Sequence, residues 1–407
     1  MVQVPDERKP LAGLRVVEVG SLIAGPFAGR LLADFGAEVI KVEAPGKLDP
    51  LRSWGAGEIN GNSLWWAVQS RGKRLVTLNL RRPRGQALMR DLLRVSDVLI
   101  ENFRPGTLER WGLGPDVLLE ENPRLVITRI SGEGQTGPRS SRPGFAATAE
   151  AISGLRYLNG FPGGPPPRHG LSTGDTVAAM FAFNGILTAL YWRDTAPDGC
   201  GQVVDVALTE SCMALLESAI PDYDRFGVIR QPAGTGLANN VPSNLFKSSD
   251  DRWVVIAANT DVLFRRLAEA MQRPELAEDA RFATHAARSF NQSACEAEIS
   301  RWTAELSAEE IEGILSEAGI PTAPVNSVAE VVRDEQLRQR DMLLRQFDPE
   351  VGSYLTPGIT PKLSETPGAP TWSGRQTPGA DNDTVYGELL GLSAEERAGL
   401  VEEGIIT

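Results

Sequence analysis

The stretch GLRVVEVGSLIAGPFAGRLLADFGAEVIKVE, residues 13–43, decides the fold. Its first part, LRVVEVG (14–20), is a short apolar strand. PFAGRLLADFG (26–36) has helical spacing, with Pro26 suited to the first turn and Gly36 to the stop. AEVIKVE (37–43) is the next strand. The same rhythm continues outward. RLVTLNL (74–80) is a third strand, followed by a helix from about Pro83 to Val95, and DVLIEN (97–102) and RLVITRIS (124–131) add two more. Strands alternating with helices predict an α/β fold built on a parallel sheet that helices cover.

Further along, TVAAMFAFNGILTALYWR predicts a long helix from about Asp175 to Arg193, apolar nearly all round and hence buried. GQVVDVAL (201–208) is another strand and TESCMALLESAI (209–220) another helix. The pattern fails in QPAGTGLANNVPSN (231–244), which reads as a loop into a second, smaller domain. That domain holds a strand, RWVVIAA (252–258), and helices near 261–271, 292–304 and 307–318. The segment 341–380 is rich in Pro, Gly and Thr and reads as an extended crossing linker, and the residues after it are helical again and return to the first domain. The expected division is therefore a large domain over 1–226 completed by 375–407, a small α+β domain over 227–340, and a linker over 341–374.

The 407 residues carry a formal net charge of −12, with 42% hydrophobic and 23% charged residues. That balance belongs to a globular chain with a sizeable core and argues against a general nucleic-acid or membrane-surface binder. The opening MVQVPDERKP lacks the apolar core of a signal peptide, and no run of about 18 apolar residues exists to span a membrane. The expected location is the cytoplasm. Three cysteines without metal-ligand spacing, Cys200, Cys212 and Cys295, read as reduced thiols. With only two histidines, His169 and His285, His-ligated zinc is not expected. Catalysis must lean on carboxylates, hydroxyls, backbone groups or a cofactor.

Against the acidic background, no Asp or Glu occurs from Ile59 to Arg90, while Arg71, Lys73, Arg74, Arg81, Arg82 and Arg84 crowd one window. Such a window suits either a solvated basic face or a seat for phosphate groups. GEGQTG (132–137) matches the dinucleotide pattern G-x-G-x-x-G, but Pro138 and RSSRPG follow where a helix would have to open. The turn VGSLIAGP after the first strand lacks the Lys-Ser/Thr of a phosphate loop, yet it stands at a strand's carboxyl end, where open α/β sheets bind ligands. In ENFRPGTLERWG (101–112), an aromatic face, an amide and two guanidiniums suit an adenine and its phosphates, and a capped turn fits equally. Asp175 opens the long helix. It reads either as an N-cap or as an ionised carboxylate with an exposed oxygen that could attack a thioester carbonyl.

Together, the 13–43 stretch, KRLVTLNLRRPRG, DVLIENFRPGTLERWGL, ITRISGEGQTGP and the TGDTVAAMFAFNGILTALYWR…GCGQVVDVAL block resemble the family III CoA-transferases, the group of formyl-CoA transferase and carnitine CoA-transferase. The resemblance covers nearly the whole chain in consistent order. It implies a Rossmann-like large domain, an interlocked homodimer and an acyl-CoA substrate, with no metal and no cofactor beyond coenzyme A itself. By position it implies that Leu22, Ile23, Ala24, Leu78, Arg81, Asn102, Phe103, Arg110 and Trp111 hold the CoA and that Asp175 is the catalytic nucleophile. The basic window would then face the nucleotide phosphates. The implied reaction moves CoA between an acyl-CoA, such as succinyl-CoA, and a carboxylic acid of the hydroxy-dicarboxylic type. It passes through an aspartyl anhydride and an aspartyl-CoA thioester.

The chain departs from the family at three places. GTGLANN (234–240) is less glycine-rich than the corresponding loop of formyl-CoA transferase. Ala146 stands where many relatives carry an acid. Phe145 stands where the related α-methylacyl-CoA racemases carry a histidine, which argues against their proton exchange. The alternatives are an acyl-CoA racemase or epimerase, a CoA-binding protein without turnover and, last, a NAD-dependent oxidoreductase.

Overall fold

The computed structural model describes residues 9–237 and 240–407. Most of the polar opening segment and part of the GTGLANN loop lie outside the described residues. The chain forms two compact units. One comprises the chain up to Leu155 together with His169–Ser218 and Gln339–Thr407; the other comprises Arg156–Arg168 and Ala219–Arg338.

The first unit is built on six strands: β1 (Arg15–Glu18), β2 (Glu38–Glu43), β3 (Lys73–Thr77), β4 (Val98–Glu101), β5 (Val126–Ser131) and β6 (Val203–Ala207). All neighbours pair in parallel, in the order β3-β2-β1-β4-β5-β6. This is the Rossmann-like strand order, so the α/β reading of the sequence stands. The chain steps outward from β1 to β3 and then crosses back to lay β4 beside β1, with Val16 opposite Val98 and Glu18 opposite Ile100. Connections leave β1 and β4 in opposite directions, and a crevice opens between their carboxyl ends.

Five helices matter for the site: α1 (Ala24–Asp34), α2 (Pro83–Arg94), α3 (Ala146–Ile152), α4 (Thr173–Thr195) and α5 (Leu208–Met213). Alternate strand residues face opposite layers. Val17, Ile40, Val76, Leu99 and Ile127 pack with Leu88, Met89, Leu92 and Leu93 of α2. Val16, Val39, Val98, Ile100 and Val126 pack with Ala28 and Leu32 of α1 and with Ala178, Ala182 and Ile186 of α4. Burial on both faces explains why the strands are continuous apolar runs.

Residues 381–407 cover the outer edge of β3. Asp381 Oδ2 accepts the Leu75 amide at 2.7 Å, Asn382 Oδ1 accepts the Thr77 amide at 3.0 Å, and the Ile405 carbonyl accepts the Asn79 amide at 2.8 Å. The second unit holds a small antiparallel sheet of β7 (Ser243–Lys247), β8 (Trp253–Ala257) and β9 (Thr322–Pro324), with helices Asp261–Ala270, Gln292–Thr303 and Ala308–Glu317.

Several local readings need correction. The helix expected over 209–220 stops at Met213, and a separate helix runs Ala219–Phe226 after Glu217 takes a φ of +51°. The segment expected to be extended from 341 contains a hairpin, β10 (Leu343–Asp348) and β11 (Gly352–Pro357). Its alternation of inward Leu344, Gln346 and Asp348 with outward neighbours is hidden by polar residues at inward positions. Helix α4 is not buried all round. Ala178, Ala182, Ile186 and Ala189 form one buried stripe, while Met180, Tyr191 and Trp192 are exposed in the chain described. The G-x-G-x-x-G match opens no helix: Gly134 and Gly137 sit at φ of +86° and +85° in turns, and the next helix begins at Ala146.

Candidate active site

The crevice between β1 and β4 is bridged by one side chain. Asn102 Oδ1 accepts the Ser21 amide at 2.8 Å and Asn102 Nδ2 donates to the Ser21 carbonyl at 2.7 Å. One amide thus locks the turn after β1 to the turn after β4. Gly20 permits this closeness, since a Cβ there would lie 3.1 Å from Asn102 Oδ1 and 3.2 Å from Gly25 Cα.

Leu22 adopts a φ of +65°, a region that residues with a Cβ seldom occupy. Asp49 holds it there, its two oxygens 3.1 and 3.2 Å from the Leu22 amide. Beneath the turn lies a buried group of charges. Lys41 Nζ is 3.1 Å from Asp49 Oδ2, 3.1 Å from Glu18 Oε1, and donates to the Gly20 carbonyl. Lys73 Nζ reaches Glu18 Oε2 at 2.6 Å and the Pro26 carbonyl at 2.7 Å. Burial works against the Lys41 ammonium, but Glu18, Asp49 and Glu43 together hold it above lysine's ordinary range. For Lys73 burial wins over Glu18, with Lys41 adding repulsion, and its pKa falls to about 8. Of these four residues, Glu18, Lys41 and Asp49 were not singled out from the sequence, and Lys73 was seen only as part of the basic window. The signal was present, because Glu18 and Lys41 are charges inside otherwise apolar strands.

The CoA residues expected from the resemblance gather around this turn in different ways. Ile23 and Ala24 are buried and Leu78 is 1% exposed, so none of the three presents a side chain to a ligand. Ile23 is the cap residue of α1 and makes no side-chain cap, which leaves the start of an 11-residue helix without a side-chain acceptor. Phe103 and Trp111 meet edge to face, ring centres 5.3 Å apart. The Phe103 amide donates to Glu101 Oε2 at 2.7 Å, and Arg129 clamps Glu101 and Glu109 at 2.7 Å each. Burial holds the Glu101 carboxyl above its usual range, with Arg129 opposing. Arg110 is exposed and its Nη2 donates to Thr107 Oγ1 at 2.9 Å.

The basic window is mostly not a phosphate seat. Arg71 is fully buried and paired with Asp34 at 2.6 Å, Lys73 belongs to the charge group under the turn, Arg74 reaches Glu38 at 2.9 Å, and Arg84 pairs with Glu403. The acids that neutralise these cations come from distant parts of the chain, which a local charge count does not see. Arg81 and Arg82 are exposed and enter none of the described ion pairs.

Asp175 lies in the first turn of α4, three residues beyond the cap residue Ser172, so it is not the N-cap. Its side is built by α3 and α5. Glu150 Oε1 accepts the Gly174 amide at 3.1 Å. A Cβ on Gly174 would meet Ala146 Cα and Cβ at 3.2 Å, so the two helices touch through small residues. Cys212 of α5 is buried there, and burial first, then Glu150 and Asp175, push its thiol up to about 11. His169 and His285 are both exposed. Among the described residues, no group of three or more His, Cys, Asp or Glu side chains could hold a metal, and no helix is long and apolar enough to cross a membrane.

The fold agrees with what the chain is similar to. Residues 11–384 match the CoA-transferase family III. The chain belongs to that family. It is 45% identical over 398 residues, 98% of each chain, to a succinyl-CoA–D-citramalate CoA-transferase of Chloroflexus aurantiacus. It is 41% identical to the α subunit of a succinyl-CoA–L-malate CoA-transferase of the same organism, over 96% of this chain and 91% of that one. A CAIB/BAIF family protein from Brucella suis superposes with a TM-score of 0.83 at 32% identity, covering 94% of this chain and 99% of that one. The protein is thus a CoA-transferase, an enzyme whose substrates are acyl-CoA thioesters and carboxylates.

Proposed function

We propose that this CoA-transferase moves CoA from succinyl-CoA to a hydroxy-dicarboxylic acid through covalent intermediates on Asp175. The two relatives from Chloroflexus are named for succinyl-CoA with citramalate and with malate, which supports the donor and the acceptor class. The observation that carries the mechanism is the place of Asp175, in the first turn of a 23-residue helix and clear of the cap position. The helix dipole stabilises an anion there.

In the first step an Asp175 oxygen bonds to the thioester carbon, the C–S bond breaks, and the electron pair leaves on sulfur. This gives a mixed anhydride and CoA thiolate. The thiolate then bonds to the aspartyl carbonyl carbon, the anhydride C–O bond breaks, and succinate leaves. The acceptor carboxylate repeats the two steps in reverse and departs as its CoA thioester. No proton is consumed and each step exchanges one anion for another.

The nucleotide end of CoA fits the turn that Asn102 and Asp49 fix, with the open start of α1 and the exposed guanidiniums of Arg81 and Arg110 for its phosphates. The aromatic pair Phe103 and Trp111 offers its base an apolar face. We place the active protein in a homodimer, in which a second copy covers the exposed Met180, Tyr191 and Trp192 of α4.

The test is direct. Succinyl-CoA incubated with a panel of carboxylic acids should yield new acyl-CoA species by mass spectrometry, with citramalate and malate among the best acceptors. Asp175→Ala should lose exchange by roughly a thousandfold or more while keeping its fold and its affinity for CoA. Retained turnover in that variant would remove Asp175 as nucleophile. Deuterium wash-in at the α-carbon in D2O would point to racemisation in place of transfer.

A further inference from the structure

Glu150 is a buried acid that the proposed chemistry leaves unused. It lies on α3 with 2% of its surface exposed, and its Oε1 accepts the amide of Gly174, the residue before Asp175. Ala146, one helical turn earlier on the same face, touches the same spot, since a Cβ on Gly174 would stand 3.2 Å from Ala146 Cα. Helix α5 packs against both α3 and α4, and burial first, then Glu150 and Asp175, raise the thiol of its buried Cys212. Glu150 therefore reaches the first turn of α4 from α3, at the residue before Asp175.

An amide at a helix start needs an acceptor when it is buried, and a neutral side chain would meet that need. An acid at a buried position costs desolvation that a neutral acceptor avoids. The charge calls for a purpose beyond capping.

We propose that Glu150 is a positioning residue for Asp175: it fixes the first turn of α4 through the Gly174 amide and keeps a second negative charge beside residue 175. The inference rests on the covalent reading above. When an Asp175 oxygen bonds to the acyl carbon, the negative charge departs on the thiolate sulfur as the C–S bond breaks. When the thiolate returns, the charge departs on the released carboxylate. In both covalent states residue 175 is uncharged, and the repulsion from Glu150 is relieved. Glu150 thus raises the free carboxylate relative to its acylated forms and shifts the enzyme toward the intermediates.

Glu150→Gln is the decisive variant, because it keeps the volume and a carbonyl oxygen for the Gly174 amide but removes the charge. Wild type and variant are mixed with succinyl-CoA, quenched in acid and weighed intact, and their steady-state kinetics are measured. The variant should stay folded and lose kcat by roughly tenfold, as for removal of one near charge at intermediate dielectric. Its KM for succinyl-CoA should stay within about twofold, the signature of an effect confined to the chemical steps. The fraction of chains carrying the CoA thioester should fall in step with kcat. A purely structural role lowers Tm and leaves that fraction unchanged. Wild-type kcat and a wild-type thioester fraction in Glu150→Gln overturn the proposal. Should that variant fail to fold, Glu150→Asp decides. It keeps the charge, so retained thioester supports the proposal and its loss overturns it. Absence of any adduct on the wild-type protein, by contrast, overturns the covalent reading itself and this inference with it.

Discussion

At the scale of single residues, the first βα turn is held by an acid that the family motif does not advertise. Asp49 accepts the Leu22 amide and faces Lys41, so it both stabilises a left-handed residue and balances a buried cation. Asp49→Asn keeps one acceptor and loses the charge, and should cost roughly 1–3 kcal/mol of stability. Because the turn is where CoA is proposed to sit, KM for succinyl-CoA should rise while kcat changes little; isothermal titration with CoA checks it independently. The place of Asn102 and Phe103 at the end of a strand was legible in the sequence, because they directly follow the apolar run VLIE. Arg71 and Lys73 were misread as ligand-facing because Asp34 and Glu18, their partners, are 37 and 55 positions away. Spacing along a chain reports helix faces and strand alternation, not which buried acid a cation meets.

At the scale of elements, the long apolar helix was found nearly to its ends, and its first turn carries the proposed nucleophile as expected. What sequence reading missed was the company of that turn. The approach of α3 depends on Gly174, whose missing Cβ leaves room for the Ala146 backbone. In Gly174→Ala the new Cβ meets Ala146 Cα and Cβ at 3.2 Å, so α3 must give way by a few tenths of an ångström; where the backbone resists, overpacking of that kind costs roughly 1–3 kcal/mol. Since the displaced turn holds Asp175, we expect kcat to drop more than KM in Gly174→Ala, with an unaltered affinity for free CoA. Equal loss in both would place the strain elsewhere. Helix periodicity revealed α4, yet the same apolar run concealed that only one stripe is covered within the chain. Composition cannot tell a buried core from an exposed apolar face.

For the whole molecule, the strand order and the helical layers were readable from the alternation of segments, because a parallel sheet needs crossovers and buries both faces. The buried ionic group beneath the crevice was not, and it links stability to pH. Lys73 has its pKa lowered from 10.5 to about 8 in the folded protein. Between those values the unfolded chain binds more protons than the folded one, so this group adds stability as pH rises from about 8 toward 10.5. Below about 8 both states are protonated and the contribution is flat. Urea unfolding at pH 8, 9 and 10 should show a less positive slope for Lys73→Met than for wild type; identical slopes would mean that the ammonium is not perturbed. The edge of β3 carries a different consequence. Its amides are satisfied by residues 381–407, more than 300 positions later. A ribosome has therefore delivered all six sheet strands well before the seal for that margin emerges. During synthesis the nascent sheet exposes an open hydrogen-bonding border, the kind of template that invites mispairing between neighbouring polysomal chains.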